Sequence, residues 1–298
     1  MPNIPAYLEQ FTQANLEEII LRDRSLEIIK ELAIDNLCLL EGIKNGIIDL
    51  GQPLSEKELR TLAGEVEEKV KDFLGVSEIS PYQVSYNKFW NGFPDIIDIG
   101  VGVYAIAGGT LSAFSPNRMV PVLGCTAGVI AADLLTRGWF YLHRKKTGAS
   151  YNYIEKKIYL NKETPQKSAA SGLAHELTHH ITRDKWGKLP KELCAFEEGL
   201  ARGAEQFYMY SYCQKHQFDA GYLIDCLKIL NEDLFVAYLW GCSQRGKKIE
   251  GFEVAFEKIE KMPPKRRTHC VGTAAFALLE QQYDLTLYRQ IFNEELHL

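Results

Sequence analysis

The residues with the clearest chemical spacing are His175, Glu176 and His179, in the run His175-Glu176-Leu177-Thr178-His179. On a helix, side chains four apart lie one turn apart on one face, so both imidazoles can reach one metal ion. Glu176 follows His175 directly and points about 100° around the helix. It is poorly placed there as a third ligand, but its carboxylate can reach a water held by the metal. Two imidazole ligands beside a general base are the parts of a metal-assisted hydrolysis. A further carboxylate is available in Glu198, with eighteen residues between it and His179. Its neighbour Glu197 competes for that place. Gly199 and Ala201 are small, which predicts a close approach of their helix to the motif helix.

His175 to His179 followed by Glu198-Gly199-Leu200-Ala201 resembles the gluzincin metallopeptidases, over residues 150–215. The resemblance implies a zincin-like catalytic domain with one Zn2+ ion held by His175, His179 and Glu198. It implies that Glu176 is the base that activates a zinc-bound water, and that the substrate is a peptide or protein whose peptide bonds are hydrolysed. The oxyanion would be stabilised by zinc with help from a Tyr or His donor. His269 is the first candidate for that donor, ahead of Tyr208 and Tyr210, and spacing fixes none of them. Many gluzincins carry an Asp four residues after the Glu ligand, to accept a hydrogen bond from a ligand His. Arg202 stands there, a pure donor. Glu205, one turn further along the face of Glu198, is the expected acceptor. No GAMEN-like stretch lies upstream, which favours an endopeptidase over an aminopeptidase. The metzincin pattern does not fit, because Thr182 and Lys185 stand where it needs Gly and His. A second reading is a non-catalytic zinc-binding or scaffold protein that keeps the fold. The intact Glu176 speaks against it. His180 is expected on the helix surface and Cys194 as a packed thiol. A serine-nucleophile reading lacks its G-x-S-x-G elbow.

These side chains need elements to hold them. Tyr151 to Leu160 alternates like a strand, whose edge is a candidate to hold an extended peptide. A turn with Pro165 leads to the motif helix, Ser168 to Thr182, and a loop with Gly187 and Pro190 leads to a helix over Lys191 to Cys213. The remainder to Leu287 reads as helical, broken at Gly241 to Gly246 and at Pro263-Pro264. Upstream, residues 15–49 show an apolar helical face. Ser55 and Glu58 form a capping-box pattern ahead of Leu59, Leu62, Val66, Val70 and Phe73, and Gly75 ends that helix. The expected class is mainly α with a small β-sheet (α+β). The expected order is an N-terminal helical region at 1–94, an apolar Gly-rich helical hairpin at 95–146, and a zincin-like metallopeptidase domain at 147–298.

The hairpin has two open readings. Ile96 to Phe114 and Met119 to Leu135 flank a Ser115-Pro116-Asn117-Arg118 turn. A spanning helix needs about 20 apolar residues, and Asp98 and Asp133 lie within these short runs. Their glycines would allow close helix packing, and Trp139, Tyr141 and Arg144 to Lys146 resemble an interfacial belt and a cytoplasmic anchor. One reading is membrane contact through residues 96–142, with the catalytic domain facing the cytosol. The other is a pair of buried core helices in a cytoplasmic protein. Gly100-Val101-Gly102 mimics a dinucleotide fingerprint but lacks the preceding strand and the later acid. A net charge of -5 gives no reason to expect nucleic acid. Seven Cys without a CxxC pair fit a reducing compartment, and Met1 to Ile20 does not read as a signal peptide.

Overall fold

Ser55 opens the first long helix as its spacing predicts. Its hydroxyl accepts from the Glu58 N–H, and the Glu58 carboxylate accepts from the Ser55 N–H at 2.8 Å. The helix, α2 (Glu56–Leu74), buries Leu59, Leu62, Val66, Val70 and Phe73. It ends at Gly75, whose φ of 70° is the left-handed conformation that glycine adopts without strain. The computed structural model of the protein describes residues 6–22, 24–33, 53–87, 148–164, 166–215, 220–247, 249–250 and 252–296. Within them the chain is mainly helical with one small sheet, the class the sequence predicts. The apolar hairpin at 95–146 lies outside these residues. Among the described residues no helix is long and apolar enough to cross a membrane.

One compact unit takes residues up to Pro81 and from Pro165 onward. Besides α2 it holds α1 (Gln13–Ile20), a helical stretch at 24–33, and the motif helix α3 (Gln166–Trp186). A short 3-10 turn, Lys191–Leu193, leads into α4 (Cys194–Lys215). Then come α5 (Ala220–Gln244), α6 (Glu253–Glu260), α7 (Pro264–Tyr283) and α8 (Thr286–Phe292). The N-terminal helices are part of this unit, with α1 packed on α7 and α2 on α3 and α4. The motif helix runs four residues past Thr182. Arg183 and Lys185 in its last turn suit the negative helix end, and Gly187, at φ 72°, stops it. Ala169, Ala170, Leu173, Ala174, Leu177 and Ile181 bury its apolar side.

Helices α4 and α7 touch backbone to backbone. A Cβ on Gly272 would lie 2.2 Å from the Ala195 carbonyl oxygen. Gly199 also opens toward α7, where a Cβ would strike the Phe276 ring. The small residue at 199 therefore admits α7, and not the motif helix as its spacing suggested. Gly272→Ala is expected to force the two helices apart and to cost about 1–3 kcal/mol. That corresponds to a fall in Tm of about 2–4 °C per kcal/mol for a chain of this size. An unchanged melting temperature would contradict the close approach.

The second unit, Tyr82–Thr164, holds the sheet. Its strands are β1 (Gln83–Tyr86), β2 (Ala149–Asn152) and β3 (Lys157–Leu160), in the order β1-β3-β2. β3 runs parallel to β1 and antiparallel to β2. Residues 83–86 are thus a strand inside the stretch expected to be helical. The single strand expected over Tyr151 to Leu160 is two. Asn152 Oδ1 accepts from the N–H groups of Ile154 and Glu155, and Lys156 turns the chain at φ 47°. β3 is paired on both sides, so among the described residues the outer strand within the stretch expected to hold a peptide is β2, not β3.

Candidate metal centre

His175 and His179 project from one side of α3 with their ring centroids 4.9 Å apart. Their Nε2 atoms face each other at 3.2 Å. Glu198, on the second turn of α4, brings Oε2 to 3.5 Å from His175 Nε2 and 3.8 Å from His179 Nε2. The three residues offer ligand atoms that all lie within 4.8 Å of one another. Ligands about 2.0–2.2 Å from a tetrahedral ion stand roughly 3.3–3.5 Å apart, so these spacings fit one shared ion. Glu198 Oε2 is also a buried acceptor that no imidazole N–H reaches with hydrogen-bond alignment. A buried carboxylate oxygen in that state is unfavourable unless a cation completes it. Two imidazoles and one carboxylate are a donor set that suits Zn2+.

The outer nitrogens of the two rings also meet carboxylates. His175 Nδ1 lies 3.2 Å from Glu205 Oε2, and His179 Nδ1 lies 3.2 Å from Glu197 Oε1. Glu205 is in the place expected of an acceptor for a ligand His. It accepts from Ser171 Oγ at 2.5 Å and from Arg202 Nη1 at 2.6 Å. Glu197 accepts from Arg183 Nε at 2.9 Å. Glu197 thus faces the outer nitrogen of His179, a role the spacing did not reveal, and Glu198 is the one of the two that converges with both rings. Carboxylates in this position set which ring nitrogen carries the proton and leave the other free for the ion. Arg183, four residues after His179, was the available signal for a paired acid at Glu197.

Charge in this cluster is tightly matched. Burial opposes the charged form of His175, but Glu198 and Glu205 outweigh it and raise its pKa to about 10. His179 is raised as well, against its burial, by Glu198 and Glu197. Burial would raise Glu198, yet His179, His175 and His269 hold it well below the usual carboxylate range. Glu205 is lowered to about 2 in spite of burial, chiefly by Arg202 and His175. A metal ion binds only the neutral imidazole. With a raised value His175 is protonated at pH 7, so zinc uptake there is expected to release a proton, and affinity is expected to rise with pH up to about 10. Calorimetry in two buffers of different ionisation enthalpy checks this. A binding heat independent of buffer would contradict it.

The remaining candidates separate clearly. His269, on α7, brings Nδ1 to 2.8 Å from Glu198 Oε2. That is ion-pair spacing, tighter than the spacing between two ligands of one ion, so His269 borders the centre as a neighbour of Glu198. Glu176 is half-buried and makes no hydrogen bond or ion pair with another described residue. Tyr208 is buried on α4, and the side chain of Tyr210 lies outside the described residues. His180 is 1% exposed, not a surface residue as expected. It points away from the centre, with Nε2 2.9 Å from the Ser80 carbonyl oxygen. Cys194 is half-buried, with Sγ 3.9 Å from the Pro190 carbonyl oxygen. Cys194, Cys242 and Cys270 are free thiols. Compared with protein-family models, with curated proteins and with solved structures, the chain matches none.

Proposed function

We propose that the chain is a zinc metallopeptidase of the gluzincin type, with His175, His179 and Glu198 as ligands and Glu176 as the base. The convergence of the three ligand side chains, with Glu176 next to His175 along the motif helix, carries this reading. A zinc ion held there would lower the pKa of a bound water towards about 7 and polarise a substrate carbonyl. Glu176 takes the proton of the attacking water and passes it to the leaving nitrogen. Its freedom from other partners among the described residues suits that task. His269 donates to the oxygen on which charge develops. Glu197 and Glu205 hold the two ligand rings in one tautomer. The substrate is a peptide or protein, cleaved internally, and nucleic acid is not a partner. Metal analysis of the purified protein tests the centre. One zinc per chain, removed by a chelator and lost in His175→Ala, is the expected result, and a metal-free protein that takes up no added zinc would overturn it.

The second reading, a non-catalytic zinc-binding or scaffold protein, keeps the same ligands and gives Glu176 no task. The catalytic unit works in the cytosol on either reading of the apolar hairpin. Membrane fractionation with an alkaline carbonate wash separates the two. A protein tethered through residues 96–142 is expected to stay in the pellet. Full release, with a monodisperse protein purified without detergent, would end the membrane reading.

A further inference from the structure

Asp233 lies on α5, a helix that gives no side chain to the cluster itself. It has no exposed surface (0%), yet it is surrounded by polar groups. Its Oδ1 forms an ion pair with Arg266 Nη1 at 2.8 Å and accepts from Cys270 Sγ at 3.8 Å; Arg266 also donates through Nη2 to Glu232 at 2.9 Å. Its Oδ2 accepts from Thr273 Oγ1 at 3.2 Å and faces Arg202 Nε at 3.6 Å. An apolar residue of similar volume often stabilises a helix interface as well as a buried ion pair does. Stability alone therefore gives little reason for a carboxylate here.

What the carboxylate touches gives a better reason. Arg266, His269 and Thr273 lie three and then four residues apart, on one face of α7. Asp233 holds that face one turn before His269 and one turn after it. On its other side Arg202 links it to Glu205, which stands 3.2 Å from His175 Nδ1. One buried carboxylate thus faces residues of both helices that carry Glu198 and His269, and is linked through Arg202 and Glu205 to the outer nitrogen of His175. We propose that Asp233 is a positioning residue of the centre, aligning His269 through Arg266 and Thr273, and His175 through Arg202 and Glu205. This rests on reading His175, His179 and Glu198 as a metal site.

The test compares the full chain with Asp233→Asn, which keeps the shape of the side chain and removes its charge. Imidazole signals are recorded by NMR on the metal-free, 15N-histidine-labelled protein. Zinc affinity is then measured against a chromophoric chelator. The ring signals of His175 and His269 are expected to shift, while that of His180, held by Ser80, stays in place. The zinc dissociation constant is expected to rise about tenfold or more. Thr273→Val removes one tether without unpairing a charge, and is expected to shift His269 and leave His175 in place. It decides the matter if Asp233→Asn does not fold. A folded Asp233→Asn with wild-type ring signals and zinc affinity would overturn the proposal, as would an unmoved His269 in Thr273→Val. If the wild type takes up no zinc but both rings still shift in Asp233→Asn, the metal reading fails and the positioning role stands.

Discussion

Glu176→Gln is expected to keep its zinc and to lose peptide turnover by about 10²–10⁴-fold, the usual contribution of a general base. The amide fills the same space but cannot accept a proton from water at neutral pH. Glu176 is not one of the three converging residues, so the ligand set is untouched. It also makes no ion pair or hydrogen bond with another described residue, so the change breaks no such contact there. The measurement is kcat/KM on a cleaved peptide together with zinc content. A variant that keeps both zinc and wild-type turnover would remove Glu176 from the mechanism. One that loses zinc would make it a ligand.

The second large effect is expected at Glu198. Glu198→Ala leaves only two imidazoles around the ion and removes the carboxylate that faces His269. Its zinc affinity is expected to fall by more than the roughly 10–100-fold that loss of an outer partner costs. Glu197→Ala is expected to fall within that 10–100-fold range, because Glu197 faces His179 Nδ1, the ring nitrogen turned away from Glu198 and His175. Competition with a chelator of known affinity ranks the two variants. The reverse order would give the ligand role to Glu197.

The residues legible in the sequence were those whose relation is local. A spacing of four on one helix dictates that His175 and His179 share a face, and the capping residues Ser55 and Glu58 show where α2 starts. Glu198 was reached by counting along the chain, and Glu205 by a further two turns on the same helix. What stayed hidden depends on how helices meet. Glu197 follows the ring of His179 only because α3 and α4 pack with Arg183 beside it. Gly199 looked like a notch for the motif helix, but Phe276 of α7 occupies that side. Asp233 gave no signal beyond being an acid ahead of the apolar run Leu234 to Trp240, since its partners come from two other helices. The split of the expected strand follows from Asn152, whose side chain caps a turn that period-two alternation does not register.

Digestion of a defined peptide pool tests metallopeptidase activity most directly. The zinc-loaded protein is incubated with the pool, new peptide termini are read by mass spectrometry, and parallel samples are treated with chelator and then resupplied with zinc. Internal cleavages are predicted that vanish with the chelator, return with zinc, and are missing in Glu176→Gln. A protein that holds one zinc per chain and yields no new terminus in any sample would contradict the assignment and leave a non-catalytic zinc protein in its place.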